Sequence, residues 1–257
     1  MSSRPQVRCV YDGCCTFDPQ AHNHTHCTEH KCKRRAENSK KRLGQEVTIH
    51  DPEMWELQDR RKLALAERQR DKNEWILANR KFVSFDIETF DLAADYGVIM
   101  VVCIKDLHGE TRTYVARNDE EERACILATR ADLEQADYII TYYGTGFDIP
   151  YLNTRLIIRG ERPLGKLRHV DLYYTAKFKL KLNRNRLQTV EMALFGESEK
   201  TEILPGIWRR ALRGDAKALA YIADHCVKDV AILERCFLKL RGFINLGEKP
   251  LKLFGRG

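Results

Sequence analysis

The segment that decides the fold runs from Phe82 to Phe90 and reads FVSFDIETF. Apolar and polar residues alternate along it, a pattern that predicts a β-strand with one buried face. Asp86 and Glu88 are two residues apart, so both side chains project from the same face of such a strand. Two carboxylates this close repel each other unless a cation lies between them, and Mg²⁺ or Mn²⁺ prefers oxygen ligands of this kind. The alternative is a strand edge that carries two solvated acids.

Length and composition favour a globular protein. The chain has 257 residues, of which 43% are hydrophobic and 32% charged, enough for one α/β core and a small additional module. The net charge of +7 favours a polyanionic partner, although an excess of this size is also ordinary. No apolar stretch follows the first residues, and the longest apolar run, residues 98–104, is too short to cross a bilayer. We therefore expect an intracellular protein, cytoplasmic or nucleoid-associated, with no membrane partner.

The first 45 residues have the pattern of a small metal-binding module. Five of the nine cysteines lie within the first 32 residues, which in an intracellular chain favours metal over disulfides. Two close pairs of ligands separated by a loop suit a tetrahedral Zn²⁺ site, and a segment this short would take its folding energy from the metal. The candidate ligands are Cys9, Cys14, Cys27 and His30, with Cys32 as an alternative to His30. We expect residues 1–45 to be a basic module with one structural Zn²⁺, the alternative being a redox-sensitive or nonspecifically metal-binding tail.

A basic segment follows the candidate zinc ligands. Residues 31–42 contain seven Lys or Arg residues and one acid. A basic flank of this kind can contact phosphates with little sequence preference, or it can be a solvated tail. Asp51 followed by Pro52 then predicts the start of a helix. We interpret residues 46–80 as a helical connector anchored at its two ends by Trp55 and Trp75.

Residues 81–245 have the pattern of an α/β domain, and residues 246–257 read as a basic tail. The predicted elements after the first strand are strands at 98–104, 111–115 and 138–142 and helices at 118–134 and 215–239. His108 and Gly109 form a turn signal, so the first three strands should be antiparallel neighbours. Asn118 is the expected cap of the first helix, and the strand that follows this helix should be parallel to the first strand.

A third carboxylate follows the predicted strand at 138–142. Gly144 and Gly146 allow the backbone to turn sharply into a helix, and Asp148 lies at that turn. A carboxylate at the end of a strand is well placed to share a metal with Asp86 and Glu88. The alternative is that Asp148 only caps the helix.

The last predicted helix supplies a histidine and a fourth acid. His225 and Asp229 are four residues apart, so they lie on one face of the helix. Such a pair is usually a surface hydrogen bond, but beside three other carboxylates it provides a fourth ligand and a titratable base.

Three segments together resemble a known family. Residues 85–89 (FDIET), 144–152 (GTGFDIPYL) and 225–230 (HCVKDV) resemble the three motifs of the DEDD 3′→5′ exonuclease superfamily, within the ribonuclease H-like fold. The resemblance covers residues 81 to about 240, and the order and spacing of the three motifs make it strong. Within the superfamily, the chain resembles stand-alone domains related to family B DNA polymerase proofreading exonucleases. It implies a mixed five-stranded sheet flanked by helices. His225 departs from the pattern, because related branches have tyrosine four residues before the last aspartate or histidine five before it.

The resemblance also implies a mechanism and its residues. The chain would be a two-metal-ion 3′→5′ exonuclease acting on single-stranded nucleic acid, with DNA favoured over RNA. Asp86 would bridge two Mg²⁺ or Mn²⁺ ions, Glu88 and Asp229 would complete one site, Asp148 would hold the other through water, and His225 would be the base. The expected substrate contacts are Ile87, Thr89, Phe90, Tyr143, Gly144, Phe147, Lys179, Lys181, Arg184 and Lys200.

Three other functions stay open at this point. The chain could be a zinc-containing nucleic-acid-binding adaptor with an inactive nuclease fold, an endonuclease of the same fold, or a structural module. A separate polymerase or helicase chain is a candidate partner, because no segment of this sequence reads as either enzyme.

Overall fold

A computed structural model describes residues 7–8, 16–17, 52–199 and 203–247, with side chains from residue 60 onward. Several predicted features lie outside the described residues: the candidate zinc ligands Cys9, Cys14, Cys27, His30 and Cys32, the basic segment at residues 31–42, the side chain of Trp55, the substrate contact Lys200, and residues 248–257 of the tail. The zinc module and the phosphate contact at Lys200 therefore stay predictions.

Contacts divide the chain into two units, Met1–Glu67 and Arg68–Gly257. In the first unit, β1 (Val7–Arg8) pairs antiparallel with β2 (Thr16–Phe17). Helix α1 (Pro52–Asn79) begins at the proline, as the sequence predicts. The proposed domain limits at residues 45, 80 and 245 stay predictions.

The end of α1 is anchored by residues other than the expected tryptophan. Ile76 is buried, and the Asn73 side-chain amide donates to the Ile244 carbonyl at 2.6 Å. Trp75 is 55% exposed, so its expected anchoring role is wrong. Adjacent helical residues point about 100° apart, and Ile76 shares its face with Asn73, three residues away, instead of with Trp75.

Unit Arg68–Gly257 is built on a mixed five-stranded sheet of order β5-β4-β3-β6-β7, which confirms the predicted fold class. The strands are β3 (Phe82–Phe90), β4 (Val98–Asp106), β5 (Thr111–Val115), β6 (Tyr138–Thr141) and β7 (Arg168–Asp171). β3, β4 and β5 are antiparallel neighbours, whereas β6 runs parallel to β3 and β7 parallel to β6.

Six helices and one 3₁₀ turn complete the described part of this unit. They are α2 (Asp119–Glu134), α3 (Asp148–Ile158), α4 (Leu172–Lys179), α5 (Leu187–Phe195), α6 (Pro205–Leu212), α7 (Ala216–Leu240) and the turn Arg241–Phe243. The predicted cap of α2 is present, because the Asn118 side chain accepts from the Glu121 backbone N–H at 2.9 Å. Within the described ranges 52–199 and 203–247, no helix has the length and apolar character needed to cross a membrane.

The alternation of β3 separates the core from the candidate acids. Val83, Phe85 and Ile87 pack with residues of α2 and α3 on one face of the sheet. Asp86 and Glu88 project from the opposite face, where α7 packs across β3 and β4. The predicted apolar stripe of α7 is buried there: Leu219, Ile222, Cys226, Val230, Leu233 and Phe237. The same strand therefore builds the core and presents two carboxylates to α7.

A buried ion pair joins α2 to α3. The Glu122 carboxylate is 1% exposed and accepts from Arg155 at 2.6 and 2.8 Å, and from Arg159 at 2.6 Å. The backbone N–H of Ile99 in β4 also donates to it, at 3.0 Å. Burial alone would raise the pKa of Glu122, but these hydrogen bonds outweigh burial and hold the pKa below its usual value.

Candidate active site

On the β6 side of β3, no strand among the described residues pairs with the level of Asp86 and Glu88. β3 pairs with β4 up to Phe90, with a shift of register between Glu88 and Thr89, but its parallel pairing with β6 covers only Phe82 to Ser84. β6 has ended by the level of the two acids. The Ile87 backbone N–H instead donates to the Asp148 carboxylate, at 3.2 Å. The end of β3 is therefore the place where the first and second motifs meet.

The loop after β6 is held by Asp171, at the end of β7. Its carboxylate accepts from the backbone N–H groups of Tyr143 at 2.8 Å and Thr145 at 3.0 Å. Tyr143 has φ 66°, a left-handed conformation that costs a non-glycine residue roughly 1–2 kcal/mol. Gly144 is needed for close approach instead, because a Cβ there would lie 2.2 Å from the Thr141 hydroxyl oxygen. The sharp turn predicted from the glycines is present, but Tyr143 adopts its positive φ.

Asp148 is the first residue of α3 and is 4% exposed. Burial raises the pKa of its carboxyl to about 7, although hydrogen bonds from its own backbone N–H and from that of Ile87 oppose this change. The negative charge of Asp171 raises the pKa further. The cap residue of α3 is Phe147, whose side chain makes no capping hydrogen bond. The Asp148 carboxylate therefore accepts a hydrogen bond from β3, which a residue that served only as a helix cap would not do.

α7 presents three polar side chains to the same place. His225, Cys226 and Asp229 are all buried, and His225 Nε2 lies 3.8 Å from Asp229 Oδ2. The Cys226 thiol donates to Asp86 Oδ2 at 3.5 Å. Burial raises the pKa of the Cys226 thiol well above its usual value, so the sulfur stays protonated.

One cavity of about 510 Å³ collects the five predicted catalytic residues. Its lining consists of Asp86, Ile87, Glu88, Tyr142, Tyr143, Phe147, Asp148, Ile203, Trp208, His225 and Asp229. Its volume is within the range of ligand-binding clefts. The fold therefore brings together acids that lie more than 140 residues apart in the sequence.

The donor atoms fit a hard divalent cation. Ligand atoms of Glu88, His225 and Asp229 lie within 4.8 Å of one another, as do those of Asp86, Glu88 and Cys226. Carboxylate oxygens suit Mg²⁺ or Mn²⁺, whereas an imidazole suits Zn²⁺ and other transition metals better and a protonated thiol is a poor ligand for Mg²⁺ or Mn²⁺. Among the described residues Asp148 belongs to neither group, so its expected role through water stays a prediction.

The predicted substrate contacts are placed unequally. Ile87, Tyr143 and Phe147 line the cavity. Thr89, Phe90 and Gly144 lie in the same segments but are not part of the cavity lining. The Thr89 hydroxyl donates to the Asp91 carbonyl at 2.9 Å. Phe90 packs beneath α7. Lys179, at the end of α4, and Lys181 and Arg184, on the segment that follows it, are exposed. Their roles in binding stay predictions.

Three residues of the site were missed by sequence reasoning, and one of them is Ile203, which lines the cavity. Trp208 of α6 forms part of the cavity wall, and Cys226 contacts Asp86. Pro205 signals the start of α6, but sequence spacing does not indicate which side of so short a helix faces the acids. Cys226 fits the apolar stripe of α7 equally well, so the pattern gave no reason to separate it from the core.

Comparisons with known proteins agree with this geometry. A family model described as the RNase_H superfamily matches residues 83–240. No curated protein matches the sequence. Among solved structures, the chain is similar to the family B DNA polymerase from the hyperthermophilic archaeon Pyrobaculum calidifontis, with 18% identity and a TM-score of 0.53. This similarity covers 63% of the present chain and 24% of the polymerase chain, and at this identity it shows a shared fold alone.

Proposed function

This chain belongs to the RNase_H superfamily, and from that premise we propose that it is a metal-dependent 3′→5′ exonuclease acting on single-stranded nucleic acid, with DNA favoured. The observation that carries the proposal is the single cavity lined by Asp86, Glu88, Asp148, His225 and Asp229. Clustered carboxylates repel one another unless cations neutralise their charge. Divalent cations held by such a cluster can stabilise the negative charge of a reacting phosphate.

The carboxylates would hold two Mg²⁺ or Mn²⁺ ions. Asp86 would bridge them, Glu88 and Asp229 would complete one site, and Asp148 would contribute to the other through water. Bound ions of this kind lower the pKa of the attacking water and stabilise the charge on the phosphate and on the leaving oxygen.

His225 would orient the attacking water and accept its proton. Its imidazole is buried on α7 beside Asp229, and an imidazole nitrogen can accept a proton from a water molecule within hydrogen-bond reach. The water oxygen forms a bond to the phosphorus of the terminal phosphodiester as the bond to the 3′-oxygen breaks. The products are a nucleoside 5′-monophosphate and a strand shortened by one residue.

Aromatic walls and nearby cations would position the substrate. Tyr143, Phe147 and Trp208 give the cavity faces on which a terminal base can stack. Lys179, Lys181, Arg184 and Lys200 are the proposed phosphate contacts. The 3′→5′ polarity is proposed from the resemblance of the three motifs.

The N-terminal cysteines and His30 would hold one structural Zn²⁺ in a basic module that adds affinity for phosphates. A separate polymerase or helicase chain is the proposed partner, and the site of action is inside the cell, in the cytoplasm or at the nucleoid.

Incubation of 5′-labelled single-stranded DNA and RNA oligomers with the purified full chain tests the function. With Mn²⁺ or Mg²⁺ we expect a ladder that shortens from the 3′ end, and with EDTA we expect no cutting. A mobility shift without cutting would support the adaptor instead, and cutting of a circular single strand would support an endonuclease. A zinc measurement on the same preparation tests the N-terminal module separately.

A further inference from the structure

A continuous row of aromatic rings leads out of the cavity along α4. It consists of Tyr143, Tyr173, Tyr174 and Phe178, which we call the aromatic row. The ring centroids of Tyr143 and Tyr173 are 4.9 Å apart, those of Tyr173 and Tyr174 are 5.2 Å apart, and those of Tyr174 and Phe178 are 6.3 Å apart. Because Tyr143 lines the cavity, the row begins at the candidate active site.

The outer rings of this row contribute little to the core. Leu172 and Ala176 are the buried residues of α4, whereas Tyr174 and Phe178 lie four residues apart on an outer face. Phe178 is 73% exposed. Hydrophobic stabilisation scales with the apolar area removed from water, so a phenylalanine in this position adds little to folding stability. An exposed aromatic surface of this kind indicates binding.

Positive charge accompanies the row. The Lys177 ammonium lies 5.6 Å from the centre of the Tyr173 ring and 5.9 Å from that of Phe178. Residues 172–186 contain no acid and five basic residues, Lys177, Lys179, Lys181, Arg184 and Arg186, all of them exposed. The surface is therefore suited to a polyanion that also offers flat rings.

Local packing turns the basic residues outward. Leu180 and Leu182 are half-buried against the core, so the lysines that alternate with them face solvent. The Tyr142 hydroxyl donates to the Asn185 carbonyl at 2.8 Å, and Tyr142 also lines the cavity. This hydrogen bond fixes the basic segment beside the entrance to the cavity.

We propose that the aromatic row and its lysines bind the single strand on the 5′ side of the scissile bond. Successive bases stack on Tyr174 and Phe178, while Lys177, Lys179 and Lys181 contact the phosphates. Stacking on the row requires bases whose faces are free, so this surface selects single strands over duplexes. The inference rests on the proposed function and adds to it the source of single-strand preference.

Binding measured without catalysis tests the surface. The full chain, in a buffer that contains neither Mg²⁺ nor Mn²⁺ and no chelator that would remove the proposed N-terminal Zn²⁺, is titrated into fluorescent oligo-dT and into an abasic oligomer of equal length. We expect Phe178→Ala to raise the dissociation constant for oligo-dT by about fivefold or more, with Phe178→Trp restoring it, because base–aromatic stacking contributes on this scale. Binding of the abasic oligomer should be the same for the wild type and Phe178→Ala.

Two controls separate stacking from charge and from general surface effects. Lys177→Ala should lower the slope of log K against log salt by about 0.7, as expected for one lost single-strand phosphate contact, whereas Phe178→Ala should leave the slope unchanged. Ile157→Ala is the matched control, since Ile157 is 59% exposed on α3, whose buried residues pack on the opposite face of the sheet from those of α4. It should bind oligo-dT as the wild type does.

The outcomes distinguish this inference from the proposed function. Unchanged oligo-dT binding by Phe178→Ala, equal losses for both oligomers, or a wild type that binds neither would overturn the binding surface. If Phe178→Ala selectively weakens oligo-dT binding but the wild type with Mn²⁺ cuts nothing, the surface stands and the exonuclease proposal fails. If the wild type cuts and Phe178→Ala binds normally, the exonuclease stands and the surface fails.

Discussion

Replacing Asp171 by asparagine should loosen the loop that carries Tyr143 and leads into Asp148. The Asp171 carboxylate accepts from three backbone N–H groups: those of Tyr143 at 2.8 Å, Thr145 at 3.0 Å and Tyr173 at 3.0 Å. Asparagine offers one oxygen where aspartate offers two. The amide oxygen can keep the bonds to Tyr143 and Tyr173, but the amide NH₂ would then face the Thr145 N–H.

The expected loss of stability follows from these bonds. One hydrogen bond to a charged group, worth about 1.5–3 kcal/mol, is lost, and two others fall to the strength of neutral bonds. Tyr143 is exposed, so water compensates part of this loss. We therefore expect Asp171→Asn to lower the free energy of unfolding by about 2–3 kcal/mol. Because the same loop positions Asp148, the rate of hydrolysis should fall as well.

Urea unfolding of the wild type and Asp171→Asn measures this difference directly. Asp71→Asn is the matched control, because Asp71 is an exposed acid on α1 whose only described ion pair, with Arg70, has an N–O distance of 3.9 Å. An exposed pair of this kind contributes at most about 1 kcal/mol. If Asp171→Asn unfolds within about 0.5 kcal/mol of the wild type, the loop does not depend on this carboxylate and the reasoning is refuted.

Two further substitutions test the packing around the site. Glu122→Gln should lower the free energy of unfolding at pH 7 by about 3 kcal/mol, because Arg155 would lose its buried charged partner. The folded-state pKa of Glu122 lies below its usual value, so its contribution is complete above the unfolded pKa of about 4.3 and is lost as the pH falls through the folded pKa. The difference in melting temperature between the wild type and Glu122→Gln should therefore narrow from pH 7 toward pH 3. A difference that stays constant with pH would contradict the pairing of Glu122 with Arg155. Gly144→Ala should lower the free energy of unfolding by about 3 kcal/mol, since the added Cβ would lie 2.2 Å from the Thr141 hydroxyl oxygen. Gly206→Ala is the control and should be neutral, because a Cβ added there meets no atom of the described residues within 4 Å beyond its chain neighbours and its own helix. Equal effects of the two substitutions on unfolding would count against this packing.

Local patterns predicted much of the fold. The alternation of β3 identified the strand and the shared face of Asp86 and Glu88, and the spacing in α7 identified its buried stripe. Caps such as Asn118 fixed where a helix begins, because they depend on residues only three positions away. That Asp148 lies beside β3 required the parallel pairing of β6, which the family resemblance implied and local pattern alone only suggested.

Features that depend on distant residues were not predictable. Tyr143 adopts a positive φ that its own sequence disfavours, because Asp171, 28 residues later, holds its N–H. Trp208 reaches the cavity wall through the placement of α6, for which the sequence offers only a start signal. The preference for Ile76 over Trp75 at the end of α1 was also missed, since it depends on which helix face meets the domain.

The most direct test of the metal-dependent nuclease is the shortening of a 5′-labelled single strand at increasing Mn²⁺ concentration, by the wild type and by Asp86→Asn. We predict that the wild type shortens the strand from its 3′ end once Mn²⁺ is added. The variant should leave the strand intact while melting, in metal-free buffer, at the wild-type temperature or above, because one charge of the Asp86–Glu88 pair is removed. Shortening by the folded variant at the wild-type rate would contradict the central claim that these acids hold the cations that cut the strand.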